Sequence, residues 1–218
     1  MSNSIFMDKE LKEKLIVIAK QKISNDDPSH DFEHAFRVMK NAELISKSEK
    51  VDLDIIIPAA LFHDIVNYPK HDPKANYATD ESALVAEEIL KKLNYSKDKI
   101  EKVKHCISNC SFSKGVKHEM IEAQILQDAD GLEATGAISI MRTFCSTGTM
   151  RRPFYNSEDP FCKSREPDSK KQALDLFYAR LLKVKDRMYT KTAKKIAERR
   201  TKFLYLFLDE LNKELNET

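Results

Sequence analysis

Residues 59–66 read Ala-Ala-Leu-Phe-His-Asp-Ile-Val, an apolar run interrupted only by an adjacent imidazole and carboxylate. An ionised carboxylate in apolar surroundings has a large desolvation cost unless another group compensates its charge. His63-Asp64 therefore needs a partner, and a divalent cation would be one. We expect the pair to lie inside a helix from about Asp54 to Asn67, with Pro58 in its first turn, where proline is tolerated.

The rest of the chain also has the apolar spacing of helices. His34, Val38, Ala42 and Ile45 follow one another at intervals of four, four and three residues, so His34 shares the stripe that faces a core. Only 4 glycines occur in the 218 residues, and no sustained alternation of period two indicates strands. The predicted fold class is all-α.

The length favours a single domain over residues 1–218. We place the core motifs at about 24–135, a long loop at about 144–171 and two long C-terminal helices at about 172–216. The loop contains Gly148 and three prolines and has no sustained period. Loops of this length are usually functional or disordered, so this one is either part of a site or a mobile insertion.

Charge and hydropathy exclude several classes of function. The 37 basic and 35 acidic residues give a net charge of +2, without the excess typical of nucleic-acid binders, so we expect no stable nucleic-acid complex. The longest wholly apolar run, Phe203 to Leu208, is too short to span a bilayer, and we expect no membrane association. Residues 1–10 lack the pattern of a secretory signal, which favours a cytoplasmic protein.

Further metal-ligating groups lie outside residues 59–66. His34 supplies a second inward imidazole, and the segment Leu-Gln-Asp-Ala-Asp at 126–130 supplies carboxylates. Two imidazoles and two carboxylates suit Mn²⁺, Fe²⁺, Co²⁺, Ni²⁺ or Zn²⁺ and leave positions for water and a phosphate oxygen. Asp128 and Asp130 lie on different helical faces, so one could bind the metal while the other orients a ligand or caps a helix.

Three ordered segments resemble those of the HD-domain metal-dependent phosphohydrolases: Ser-His-Asp-Phe-Glu-His-Ala-Phe-Arg-Val at 29–38, Leu-Phe-His-Asp-Ile-Val at 61–66 and Gln-Asp-Ala-Asp-Gly-Leu-Glu-Ala at 127–134. The resemblance implies a compact helical bundle with long C-terminal helices. It also selects Asp130 over Asp128. The implied metal ligands are His34, His63, Asp64 and Asp130.

A fourth segment narrows the resemblance. Residues 177–188, Phe-Tyr-Ala-Arg-Leu-Leu-Lys-Val-Lys-Asp-Arg-Met, are similar to the C-terminal signature of a small bacterial subgroup that includes nucleotide pyrophosphohydrolases. Asn67, Cys110 and Gly131 depart from the residues common in that family, which indicates an altered substrate or a reduced activity. These departures motivate one alternative, a non-catalytic sensor that binds a metal and a nucleotide.

The resemblance implies a phosphohydrolase acting on a phosphate ester or anhydride, with a nucleoside triphosphate cleaved to monophosphate and pyrophosphate as the favoured reaction. One divalent cation is expected, with Mn²⁺ favoured over Mg²⁺, Fe²⁺, Co²⁺, Ni²⁺ and Zn²⁺, and Asp64 is the candidate catalytic residue. A phosphomonoesterase or phosphodiesterase of the same fold is the other alternative. The candidate substrate-binding residues are His30, Arg37, Lys70 and Arg152.

Overall fold

The computed structural model describes residues 7–69, 72–111 and 118–217 and confirms the all-α prediction, since these residues form helices and no strands. No helix among them is long and apolar enough to cross a membrane. The α-helices in chain order are α1 (Lys9–Lys22), α2 (Phe32–Ser46), α3 (Leu53–Phe62), α4 (Ala78–Lys92), α5 (Lys97–Asn109), α6 (Ile121–Gly131), α7 (Gly136–Met150), α8 (Asp175–Ala179) and α9 (Lys191–Glu214).

Side-chain caps fix where several helices begin. The Asp31 carboxylate accepts a hydrogen bond from the His34 backbone N–H at 2.9 Å, so Asp31 caps α2, which starts two residues before the histidine. Ser96 and Thr190 cap α5 and α9 in the same way. Each cap satisfies a backbone donor that has no partner within its own helix, so these positions set the register of the side chains that follow.

Contacts divide the chain into two compact units, with Asp130 ending the first and Gly131 beginning the second. In the first unit, α2 and α5 pack on α3, and α4 packs on α5. In the second, α9 packs on α7, and its buried cluster consists of Leu174, Phe177, Leu181, Leu204 and Leu208. A single domain over residues 1–218 stays a prediction.

The expected interior position of His63-Asp64 is wrong, because α3 ends at Phe62 and His63 is its C-cap. The last carbonyls of a helix need partners from outside the helix. Ring nitrogen Nδ1 of His63 lies 2.9 Å from the Ala60 carbonyl, and the Ile65 N–H donates to Phe62. These contacts are made where the helix ends, at the His-Asp pair. Pro58 is the sixth residue of α3 and not in its first turn, because the helix begins at Leu53.

The predicted loop boundary at residue 144 is also wrong, because α7 continues to Met150. Hydroxyl groups support this last part of the helix: Thr147 Oγ1 donates to the Thr143 carbonyl at 2.7 Å, and Thr149 Oγ1 donates to Cys145 at 3.3 Å. The helix ends at Arg151, whose left-handed backbone has φ of 50°.

The first of the two predicted C-terminal long helices is short. The structure has the five-residue helix α8, a break at Arg180 and a 3₁₀ helix at Leu181–Arg187. Apolar spacing of three and four residues also buries one side of a 3₁₀ helix, which has three residues per turn, so the spacing could not reveal the break. The second predicted helix is confirmed as α9, with 24 residues.

Candidate metal centre

Three helices of the first unit bring the predicted ligands together. His34 is in the first turn of α2, His63 and Asp64 follow α3, and Asp130 is near the end of α6. The sequence separates these residues by up to 96 positions, but the packing of α2 against α3 brings two of the segments together. All four belong to the unit that ends at Asp130.

The donor atoms of three of these side chains converge, and Asp64, outside that group, lies beside two of them. One ligand atom each from His34, His63 and Asp130 lie within 4.8 Å of one another. Asp64 Oδ2 is 3.6 Å from the Nε2 atoms of both histidines, and Asp130 Oδ1 is 3.6 Å from His34 Nε2. These N···O distances are longer than the roughly 2.9 Å of an N–H···O hydrogen bond. They suit atoms that coordinate one cation better than atoms that are hydrogen-bonded to one another.

His63 gives the clearest sign of a missing partner. The side chain is 1% exposed, and its Nδ1 contacts the Ala60 carbonyl, which assigns the ring hydrogen to Nδ1. Its buried Nε2 has no hydrogen-bond partner among the described residues. A buried polar atom without a partner costs stability, so this nitrogen fits the lone-pair donor of a metal site.

The carboxylates at the centre are partly exposed. His34 is fully buried, whereas the side chains of Asp64 and Asp130 are 28% and 31% exposed. Burial by itself raises the pKa of Asp64, but the charges of His63 and His34 and the interaction with His34 outweigh it and hold this pKa well below its usual value. Asp64 is therefore ionised near neutral pH and presents negative charge beside two imidazoles.

Asp128 and Asp130 differ in their surroundings although both lie on α6. Asp128 is buried and lies outside the convergent group, which contains Asp130. The side chain of Asn41 on α2 donates a hydrogen bond of 3.2 Å to the carbonyl of Ala129, the residue before Asp130. Asn41 thus links the helix of His34 to the turn of helix that carries Asp130, a role that its sequence context did not reveal.

His30 lies beside the convergent group. Its ring centroid is 5.7 Å from that of His34, and its Nδ1 is 2.8 Å from the carboxylate of Asp27. Asp27 was missed by the sequence analysis, although its position three residues before His30, in an Asp-Pro-Ser-His turn, is a usable signal. Arg37 lies on α2, half-buried, in the same unit.

The other two predicted substrate-binding residues are Lys70 and Arg152. Lys70 lies outside the described residues. Arg152 belongs to the second unit, where its guanidinium donates to the Ser169 carbonyl and, at 2.9 Å, to the Thr147 hydroxyl. These contacts give Arg152 a structural role between α7 and the loop, and substrate binding by it stays a prediction.

The segment after Asp64 has its own support. Ser82, which is fully buried on α4, accepts a hydrogen bond from the Val66 N–H at 3.1 Å. Tyr68 donates to the Glu81 carboxylate at 2.6 Å. Two neighbouring residues of α4 therefore hold the chain that leaves the His-Asp pair. Among the departures from the family pattern, Asn67 is exposed and Cys110 is buried.

Comparisons with known proteins identify a family and several similar chains. The HD domain family model matches residues 31–135. The chain is 31% identical over 216 residues to YpgQ of Bacillus subtilis (strain 168), with 95% of this chain and 96% of the relative covered. The solved structure of an HD-superfamily hydrolase from Bacillus thuringiensis matches with a TM-score of 0.74 and 32% identity, covering 96% of this chain and 99% of the other. The crystal structure of Bacillus subtilis YpgQ in complex with ADP matches with a TM-score of 0.72 and 28% identity, covering 93% and 97%.

Proposed function

The chain belongs to the HD-domain family, and on this premise we propose that it is a metal-dependent phosphohydrolase acting on nucleotides. The observation that carries the proposal is the buried Nε2 of His63, which faces Asp64 and has no hydrogen-bond partner among the described residues. A phosphohydrolase of this kind needs such a donor for its cation.

The proposed ligands of the cation are His34, His63, Asp64 and Asp130. When held by these four side chains, a divalent ion would act as a Lewis acid toward a phosphoryl oxygen and would lower the pKa of bound water toward neutrality. Mn²⁺ is the proposed ion among the five that a set of two imidazoles and two carboxylates suits.

The other steps depend on side chains of this protein. Asp64, ionised near neutral pH, accepts a hydrogen bond from the attacking water and orients it toward phosphorus. His30, oriented by Asp27, stabilises charge on the phosphoryl oxygens, and Arg37 binds a second phosphate. Lys70 and Arg152 remain the weaker candidates for substrate binding.

Nucleotides are the proposed substrates because the related YpgQ structure contains ADP. Cleavage of a nucleoside triphosphate to monophosphate and pyrophosphate is the proposed reaction, supported by the likeness of residues 177–188 to the subgroup signature. We also propose a cytoplasmic location.

The test compares wild type, Asp64→Ala and the exposed control Asp98→Asn after removal of metal. Each protein is resupplied with Mn²⁺, Mg²⁺, Co²⁺ or Ni²⁺ and given nucleoside mono-, di- and triphosphates. Orthophosphate and pyrophosphate are measured separately. We expect metal-dependent pyrophosphate release from wild type and the control, and a loss of at least about a hundredfold in Asp64→Ala with unchanged circular dichroism.

The same assay distinguishes the alternative functions by the product that is released. Orthophosphate from a monophosphate would identify a phosphomonoesterase, and opening of a cyclic nucleotide would identify a phosphodiesterase. Tight binding of metal and nucleotide by wild type, with no product from any substrate, would contradict the proposed enzymatic function and favour a non-catalytic sensor.

A further inference from the structure

Ser82 on α4 makes two hydrogen bonds to one residue of the segment that follows His63-Asp64. The Val66 N–H donates to the Ser82 hydroxyl oxygen at 3.1 Å, and the hydroxyl donates to the Val66 carbonyl at 3.3 Å. A serine hydroxyl can do both, because it carries one donor hydrogen and two acceptor lone pairs. One side chain of α4 therefore satisfies both backbone groups of Val66.

Ser82 is the polar member of the buried face of α4. It is fully buried, and the other buried residues of this helix are Ala83, Ala86, Ile89 and Leu90. A buried hydroxyl needs a hydrogen-bond partner, so a serine at this position has a cost that an apolar residue would avoid. The partner of Ser82 is the chain that leaves the proposed metal centre.

The direction of these hydrogen bonds distinguishes Ser82 from a serine that serves only its own helix. Ser139, which is also buried, donates to the carbonyl of Gly136 at 2.8 Å, within α7. A bond to the preceding turn is a common arrangement for a serine inside a helix. Ser82 instead bonds to Val66, 16 residues earlier in the chain. Its contacts therefore fix one segment of the first unit relative to another.

The segment after His63-Asp64 needs such a contact because α3 has already ended. Backbone groups beyond the last turn of a helix have no helical partner. The Ile65 N–H donates back to the Phe62 carbonyl at 3.2 Å, whereas Val66 takes its partner from α4. Asp64 therefore lies between two fixed points, the C-cap His63 before it and Val66 two residues after it.

These fixed points bear on the position of the Asp64 carboxylate, because the direction of a side chain follows from the backbone that carries it. The Asp64 side chain is 28% exposed, so packing alone does not enclose it. Its Oδ2 lies 3.6 Å from the Nε2 atoms of His34 and His63. Functional groups have to be held to within about 0.5 Å of their working geometry. A small shift of the backbone at Val66 would therefore be enough to misplace this oxygen.

We propose that Ser82 is a positioning residue of the metal centre: it holds the backbone after His63-Asp64 so that the Asp64 carboxylate faces both histidines. This role rests on the proposed function, because it needs Asp64 to be a ligand of the cation. Removing a group that orients a ligand commonly lowers metal affinity by about 10- to 100-fold. A purely structural serine would change the stability of the fold and leave the metal affinity of the folded protein unchanged.

The test compares wild type, Ser82→Ala and Ser139→Ala, each as the full chain after removal of metal. Ser139 is the matched control, since it is buried and bonds to a backbone carbonyl but lies in the second unit. In isothermal titration calorimetry with Mn²⁺, the dissociation constant should rise by roughly tenfold in Ser82→Ala and stay unchanged in Ser139→Ala. The electron paramagnetic resonance spectrum of bound Mn²⁺, which is sensitive to the arrangement of its ligands, should change in Ser82→Ala alone.

A second variant keeps the comparison decisive if circular dichroism shows that Ser82→Ala does not fold. Ser82→Cys retains the shape of the side chain and replaces the hydroxyl with a thiol, which is a weaker donor and acceptor. The dissociation constant for Mn²⁺ should again rise, by less than in Ser82→Ala.

The outcomes separate this role from the proposed function. Unchanged Mn²⁺ affinity and spectrum in the folded Ser82 variants would overturn the positioning role and leave the proposed function intact. Equal losses of affinity in Ser82→Ala and Ser139→Ala would also overturn it, since any buried hydroxyl would then have the same effect. A wild type that binds none of Mn²⁺, Mg²⁺, Co²⁺ and Ni²⁺ would overturn the proposed function and the positioning role together.

Discussion

Asp175 in the second unit and Asp64 in the first both lie beside nitrogen atoms, but these nitrogen atoms belong to different chemical groups. Asp175 is fully buried, and its oxygens accept from the Arg165 guanidinium at 2.5 and 2.8 Å and from the Asp168 N–H at 2.6 Å. Asp64 faces the Nε2 atoms of His34 and His63 at 3.6 Å.

The difference separates a carboxylate that is neutralised within the chain from one that is proposed to bind a metal. A guanidinium is always charged and presents a planar fork that matches a carboxylate, so Arg165 neutralises Asp175 permanently. Imidazole is a weaker and conditional cation near neutral pH, and it keeps a lone pair that can bind metal. The first unit therefore leaves room for an external cation, and the second unit supplies its own.

Removing a proposed ligand should have the largest effect. We expect His63→Ala to lower the affinity for Mn²⁺ by at least about a hundredfold, because a ligand should matter more than the groups that only orient ligands. Isothermal titration calorimetry measures the affinity, and Arg165→Met serves as the control that should retain it. Equal losses in both variants would mean that the two carboxylate sites are not independent.

Removing the Arg165 guanidinium from the second unit should reduce the stability of the fold and leave metal binding intact. Arg165→Met leaves the Asp175 carboxylate buried without its ion pair, and we expect the free energy of unfolding in urea to fall by about 3 kcal/mol. The double variant Arg165→Met/Asp175→Leu should recover part of this loss, because it also removes the stranded charge. A single-variant loss within about 0.5 kcal/mol would contradict the structural role.

A smaller effect is expected from Asn41, which contacts the backbone beside Asp130 and reaches no ligand side chain in the described contacts. Asn41→Leu keeps the size of the side chain and removes the hydrogen bond to Ala129, so metal affinity should fall by roughly tenfold. Asn109→Leu is the matched control, since Asn109 donates to a carbonyl of its own helix, that of His105. An unchanged affinity in a folded Asn41 variant would remove its positioning role.

The smallest expected effect is the contribution of the Asp175 carboxylate to the pH dependence of stability. Burial raises the pKa of Asp175, but Arg165 and the Asp168 N–H outweigh it, so the net pKa lies below its usual value. A lowered folded pKa gives stability that is present above the unfolded pKa, about 3.9, and is lost as the pH falls through the folded value. Urea unfolding from pH 7 to 3 should therefore show a loss below about pH 4.5 that is smaller in Arg165→Met/Asp175→Leu. Parallel pH curves for the two proteins would contradict this origin.

Helical periodicity was enough to predict the fold class and the inward side of α2. His34 repeats with Val38 and Ala42 at helical spacing, and the structure buries it completely. The ends of helices were harder to predict, because they depend on contacts outside the repeating pattern. Residue spacing alone could not show that the His63 ring would contact the Ala60 carbonyl and end α3.

The loop after α7 shows a second limit. Its ends meet where Ala173 and Leu174 donate to the carbonyls of Pro153 and Phe154, and its centre is held by Arg165 and Asp175. Neither contact follows a period, and many sequence neighbours could have supplied either partner. The sequence therefore left a site loop and a mobile insertion as alternatives, whereas the structure shows a loop tied down within the second unit.

The boundary at Asp130 also has an evolutionary consequence. The last proposed ligand is the last residue of the first unit, so no ligand is encoded after it. Insertions, deletions and substitutions beyond Asp130 remove none of the four side chains. Variants of this chain that differ only in the second unit therefore keep all four proposed ligand side chains.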